Sequence, residues 1–247
     1  MTAVTAIPPL EHDEAMALAE AELGRLLALV DDLDDADWAR PTDCTGWTVR
    51  DMLGHLLGMF ALQADPEERE RQIKTAAELA RRSGELRLTE TTALQVREHA
   101  HLTVDELRAA LHEDGHRGLA ARRALPAAVR ATPYDSELPH EGVWTIGYLF
   151  DIIHTRDPWL HRVDICRATG RELELTAEHD GRIVANVVAD WAPRHGEPFT
   201  VELTGPAGDT FVAGTGGEHL RLDAIEFCRT LSGRARGTGL LGTPVTF

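Results

Sequence analysis

Up to Gly170 the chain is patterned almost entirely for amphipathic helices, and beyond it the texture changes. Residues 11–33 are rich in Ala, Leu and Glu, and they set Met16, Leu18, Ala19, Leu23, Leu26, Leu27 and Val30 on an apolar stripe. Thr48-x-x-Asp51 resembles a capping box and stands just before an apolar run that reaches Leu62, which predicts a second helix. Pro66 opens a charged helical segment to about Arg82, and Ser83-Gly84 breaks it. Thr103-x-x-Glu106 is another capping box, heading a helix to Arg123. Pro126, Pro133 and Pro139 mark a long connection over 124–144, whose length and prolines make it a candidate lid. Residues 145–168 form a further helical segment with Gly170 as its C-cap. Pro158 lies inside that segment and predicts a kink or a restart, because it removes a backbone donor and crowds the preceding turn.

After Gly170, residues 172–175, 199–203 and 210–213 alternate as strands do, residues 180–191 and 222–232 read as helices, and 233–247 is Gly-rich and irregular. The expectation is therefore an α+β chain. Residues 1–170 form a helical bundle, and residues 171–247 form a small α+β domain.

Composition narrows the function classes. With 43% apolar and 27% charged residues, the 247-residue chain has an ordinary globular balance. Its net charge of −16 repels phosphate backbones and anionic lipids, so neither nucleic acid nor a membrane is an expected partner. No apolar run approaches the ~18 residues of a membrane span. The first residues lack the basic and apolar regions of a secretory signal. Cys44, Cys166 and Cys228 are odd in number and widely spaced, which fits neither a disulfide framework nor a CxxC zinc site. A reducing cytoplasm is the expected location.

Twelve histidines direct attention to metal chemistry. His154, Asp157 and His161 share one helix face, and Asp157 and His161 stand i, i+4, a spacing that closes on one metal ion. His55, in the apolar stretch Met52–Leu57, is the natural third ligand from a facing helix. Other readings stand beside this one. His55 can be a hydrogen-bonded core residue. Asp157 before Pro158 can be the N-cap of a restarted helix. His161, Arg162 and Asp164 can form a buried polar network. Elsewhere, His112 and His116 read as a solvated helix end, and Cys166 reads as a small apolar group before it reads as a nucleophile. No base is apparent near Cys44. Arg229 and Arg234, beside several glycines, can either hold a carboxylate or sugar-phosphate or form a solvated helix end.

The segment from Trp38 through Pro41, Cys44, Gly46-Trp47-Thr48-Val49-Arg50-Asp51 to His55-Leu56 resembles the start of the mycothiol-dependent maleylpyruvate isomerase family, within the wider DinB-like (YfiT-like) four-helix-bundle metalloenzymes. Thr155-Arg156-Asp157-Pro158-Trp159-Leu160-His161-Arg162-Val163-Asp164 is similar to that family's metal-ligand helix, and Leu231-Ser232-Gly233-Arg234 matches more weakly near the C-terminus. The resemblance implies a divalent metal, usually zinc, on His55, Asp157 and His161. It also implies mycothiol as a low-molecular-weight thiol cofactor, and Arg234 as a residue that binds an anionic substrate or the thiol. The family's commoner acid is Glu. Asp157 is one methylene shorter, and His154 one turn earlier is an alternative to it.

The resulting expectation is a metal-dependent isomerase or S-transferase that acts on a small electrophile through a thiolate. A hydrolase using metal-bound hydroxide and a non-catalytic small-molecule binding module of the same fold are the alternatives. The family's breadth leaves the substrate open.

Overall fold

Both capping boxes read from the sequence form. Thr48 Oγ1 accepts from the Asp51 amide at 3.2 Å, and Asp51 Oδ2 accepts from the Thr48 amide at 2.9 Å. The Thr103–Glu106 box is its counterpart, at 3.2 and 2.7 Å. Each satisfies two backbone donors that a helix start leaves without partners. The computed structural model describes residues 1–139 and 141–247. They divide into two units, one of His12–Arg171 and the other of Met1–Glu11 with Glu172–Phe247. The first strand, β1 (Thr2–Ala3), belongs to the second unit.

The helical unit contains α1 (His12–Asp32), α2 (Val49–Ala64), α3 (Pro66–Ser83), α4 (Arg87–His99), α5 (Val104–Arg123), the short α6 (Ala127–Arg130), β2 (Pro133–Asp135), β3 (Val143–Thr145) and α7 (His154–Thr169). The bundle is α1, α2, α5 and α7: α2 packs on α5, and α1 on α5 and α7. The α3–α4 pair packs on α2. Every position of the predicted stripe on α1 is buried. Asp65 caps α3 by accepting from the Glu67 and Glu68 amides, and Gly84 ends it at φ +81°.

Helix α4 is absent from the sequence reading. Its N-cap, Leu86, makes no side-chain cap, and it buries only Leu94 and Gln95. In its described residues, the connection over 124–144 also has more regular structure than its prolines suggest. It holds α6 and the antiparallel β2–β3 pair, in which Tyr134 faces Trp144.

Pro158 neither stops nor restarts the helix. Residues 148–153 wind as wider π-type turns, and α7 then runs through the proline. Pro158 cannot donate to the carbonyl of His154, its partner four residues back. Arg122 of α5 takes that role: its Nη1 donates to His154 O at 3.1 Å, and its Nη2 donates to Thr155 Oγ1 at 2.7 Å. Asp157 is accordingly a helical residue and not an N-cap, which corrects that reading.

The second unit is a four-stranded sheet with two helices. Its elements are β1, α8 (Arg182–His195), β4 (Phe199–Thr204), β5 (Thr210–Ala213), β6 (Glu218–Asp223) and α9 (Ala224–Leu231). The strand order is β1-β5-β4-β6; β1 pairs parallel with β5, β4 antiparallel with β5 and parallel with β6. A cut at 170 would leave residues 1–11 with the helices, whereas their strand is hydrogen bonded to β5. Residues 172–175 alternate in sequence yet join no strand. Asp223 caps α9 by accepting from the Ile225 and Glu226 amides.

The α2–α4 contact generates a prediction. A Cβ on Gly58 would lie 2.5 Å from Gln95 Cγ and 2.7 Å from Gln95 Cβ. Helix propensity alone predicts that Gly58→Ala stabilises by about 1 kcal/mol. Overpacking against α4 reverses the sign, and we expect a loss of about 1–3 kcal/mol in urea unfolding.

Candidate metal centre

Three side chains from two helices meet near the α2–α7 contact. His55 comes from α2, and Asp157 and His161 come from successive turns of α7. His55 Nε2 lies 3.2 Å from Asp157 Oδ2, and His161 Nε2 lies 3.2 Å from Asp157 Oδ1. The two imidazoles are edge to face, with centroids 5.3 Å apart. One ligand atom from each residue falls within 4.8 Å of the others, a grouping that could hold a metal ion. Both histidines are buried, and the Asp157 side chain is 18% exposed.

The donor set fits a divalent metal such as zinc: two imidazole nitrogens and one carboxylate. The shorter acid is long enough, since its two oxygens each reach a different Nε2. His154 takes a different place. Its ring packs on Phe150, with centroids 4.9 Å apart, and it is the Asp157 carboxylate that reaches both His55 and His161.

The far sides of the histidines are also fixed. Gln95 Oε1 accepts from His55 Nδ1 at 2.7 Å, and the amide of Gln95 donates to Gln72 Oε1 at 2.8 Å. Gln72 in turn donates to Gly58 O and to Glu68 Oε1, at 3.0 and 2.9 Å. His161 Nδ1 is 3.2 Å from Oδ2 of Asp164, which is fully buried. A carboxylate or amide oxygen on Nδ1 places the proton there and leaves the Nε2 lone pair for a metal. Without a metal, burial opposes charge on both partners. The adjacent Asp157 nevertheless raises the His161 pKa well above the usual imidazole range, and His161 and His55 hold Asp157 well below the usual carboxylate range.

The loop before α2 completes the surroundings. Gly46 adopts φ +83°, which favours glycine, and the Trp47 amide donates to Cys44 O at 2.9 Å. This turn sets the Trp47 ring 5.3 Å from His55 and 6.3 Å from His161. It also brings Cys44 Sγ to 3.8 Å from Asp164 Oδ2 and within hydrogen-bonding reach of His161. Cys44 therefore does have a base nearby, contrary to the sequence reading. Cys44, His161 and Asp164 form a second grouping of potential ligand atoms.

Other candidates fall elsewhere. Cys166 is buried, and burial pushes its thiol pKa up, the opposite of an activated nucleophile. His112 pairs with Asp31 at the surface, 2.9 Å away. Arg234 lies in the second unit, in the turn after α9, where its amide donates to Arg229 O at 2.9 Å. Arg229 is buried and paired with Glu226 at 2.5 Å. Gln95 and Gln72 escaped sequence analysis; neither residue type is a usual ligand, and their register becomes readable only when α3 and α4 are placed.

Comparison with known proteins agrees with this architecture. Residues 19–166 match the family described as mycothiol maleylpyruvate isomerase N-terminal domain. Two uncharacterized proteins of Mycobacterium tuberculosis, from strains CDC 1551 / Oshkosh and H37Rv, are each 30% identical over 222 residues, 84% of this chain and 80% of theirs. The crystal structure of the mycothiol-dependent maleylpyruvate isomerase superposes with a TM-score of 0.61 at 16% identity, covering 95% of this chain and 93% of that one. A histidine-to-alanine mutant of that enzyme gives 0.60. At that identity the likeness is one of fold. Among the described residues, no helix is long and apolar enough to cross a membrane.

The thiols offer a direct check on the surroundings of the centre. Cys44 is half-buried, whereas Cys166 and Cys228 are buried. Iodoacetamide should add once to the native chain, at Cys44, and three times in urea, read by intact mass; native labelling of Cys166 would contradict this packing.

Proposed function

This chain belongs to the mycothiol maleylpyruvate isomerase family, and from that membership we propose that it is a metal- and mycothiol-dependent isomerase or S-transferase acting on a small electrophile. The observation that carries the metal half of this reading is the convergence of His55 Nε2 and His161 Nε2 on the two oxygens of Asp157, each at 3.2 Å. His55, Asp157 and His161 would hold a zinc ion, which would supply the Lewis acidity that keeps a bound thiol ionised at neutral pH.

The remaining work falls to the chain itself. Gln95 and Asp164 hold both imidazoles in the tautomer that presents Nε2. Asp157 is the one anionic member of the set His55, Asp157 and His161, so these ligands would offset half the charge of a divalent ion. The site thereby retains a net attraction for an anionic sulfur. Trp47 walls one side and limits water. Mycothiol, when bound, would supply the nucleophilic sulfur for an electrophilic carbon of the substrate and would be the leaving group again in an isomerisation. Arg234 is proposed to bind an anionic group of substrate or thiol, through its guanidinium. A reducing cytoplasm suits the reading, because Cys44, Cys166 and Cys228 are thiols and not disulfide-bonded among the described residues.

Protein purified without chelator should carry about one equivalent of zinc, and His161→Ala should carry none. Gln95→Leu and Asp164→Asn should keep the stoichiometry and weaken zinc about 10–100-fold in chelator competition. Maleylpyruvate and a panel of other electrophiles should turn over only with mycothiol present. No zinc uptake even after incubation with the metal would overturn the assignment. Turnover with water alone would favour the hydrolase.

A further inference from the structure

A second polar layer crosses the bundle away from the metal centre. Gln63 lies eight residues beyond His55 on α2, and His154 lies seven before His161 on α7. At 1.5 Å per residue both are roughly 10–12 Å along their helices. They share a small internal cavity with Glu22 of α1 and Arg122 of α5. Each of the four is over nine-tenths buried.

Glu22 is accounted for by Arg162, which donates to its two oxygens at 2.7 and 3.1 Å. The others are not. Both amide atoms of Gln63, Nε of Arg122 and Nδ1 of His154 have no hydrogen-bond partner among the described residues. Buried polar atoms of this kind are satisfied in nearly all folded proteins. Helix α5 comes close to Gln63 through glycines: Gly115 lines the cavity, and a Cβ on Gly118 would lie 2.9 Å from Gln63 Oε1.

We propose that this cavity is a binding site for one buried water, which bridges Gln63, Arg122 and His154. The balance of donors and acceptors selects the ligand. Arg122 Nε and Gln63 Nε2 can only donate, and Gln63 Oε1 can only accept. A halide would satisfy the donors and leave the amide oxygen bare, and a cation would meet Arg122 with like charge. Burial, followed by the nearby Arg122, pushes the His154 pKa down to about 3, so its ring is neutral and carries one donor and one acceptor. Water serves either tautomer, and a buried water commonly makes two to four such bonds. The cavity has room for one.

The site has a structural role for α7. Arg122 is the residue that donates to His154 O, the carbonyl Pro158 leaves unserved, and Pro158 also lines the cavity. A water on Arg122 Nε completes the coordination of the side chain that carries α7 past its proline, one residue after Asp157. This role does not rest on the proposed activity.

A high-resolution crystal structure of the full chain grown in sodium bromide tests it. The expected result is one oxygen-sized peak within hydrogen-bonding distance of the Gln63 amide, Arg122 Nε and His154 Nδ1, with no bromine anomalous signal. An anomalous peak there would make it an anion site and overturn the proposal, as would a cavity without density whose side chains bond to one another. In solution, oxygen-17 relaxation dispersion should count one fewer long-lived water in Gln63→Leu than in the wild type. Equal counts in a folded variant would likewise overturn it.

Discussion

The Asp157 carboxylate touches two helices at once, with one oxygen toward His55 on α2 and the other toward His161 a turn further along α7. A short acid can do this only if α2 and α7 are held at one separation and one register. Much of the bundle's polar chemistry serves that end. Gln95 and Asp164 clamp the outer nitrogens of the two rings. The Gln95–Gln72–Glu68 relay carries the first clamp across α4 and α3, so a pair of helices outside the bundle determines how a bundle histidine points. Gly58 is the close approach that permits the relay, since a side chain there would displace Gln95.

The cost of this arrangement is a bundle interior crowded with polar groups. Pro158 removes one helical hydrogen bond directly after the acid, and a buried guanidinium from α5 replaces it. Glu22 and Arg162 form a buried ion pair across α1 and α7. Buried pairs of this type contribute little net stability but penalise any packing that separates them. They act against alternative registers of α1, α5 and α7, which apolar stripes alone would tolerate. The isomerase structure shares the fold at 16% identity.

Much of this was legible in the sequence, for identifiable reasons. Capping boxes are local, so Thr48–Asp51 and Thr103–Glu106 announced two helix starts to within a residue. The i, i+4 spacing of Asp157 and His161 is a property of the helix itself, and the apolar neighbours of His55 gave away its inward position. Residues whose role depends on another element were not legible. Helix α4 lacks a side-chain cap and buries little, so its register and Gln95 were hidden. Cys44 and Asp164 are 120 positions apart, and only the turn at Gly46 brings them together. Strand β6 is mostly exposed and polar, which masked its alternation, while residues 172–175 alternate without a partner strand. The carbonyl freed by Pro158 was foreseeable, but not that Arg122 would meet it.

The proposed capacity of His55, Asp157 and His161 to hold a metal that takes a thiol can be read from cobalt(II) in place of zinc, in a Cys44→Ser background that removes the nearby protein thiol, by recording the electronic spectrum as mycothiol is added. Ligand-field bands of a low-coordinate cobalt are expected, joined on thiol addition by a sulfur-to-cobalt charge-transfer band, with both absent in His161→Ala. A cobalt spectrum that mycothiol leaves unchanged, or one that survives His161→Ala, would contradict it.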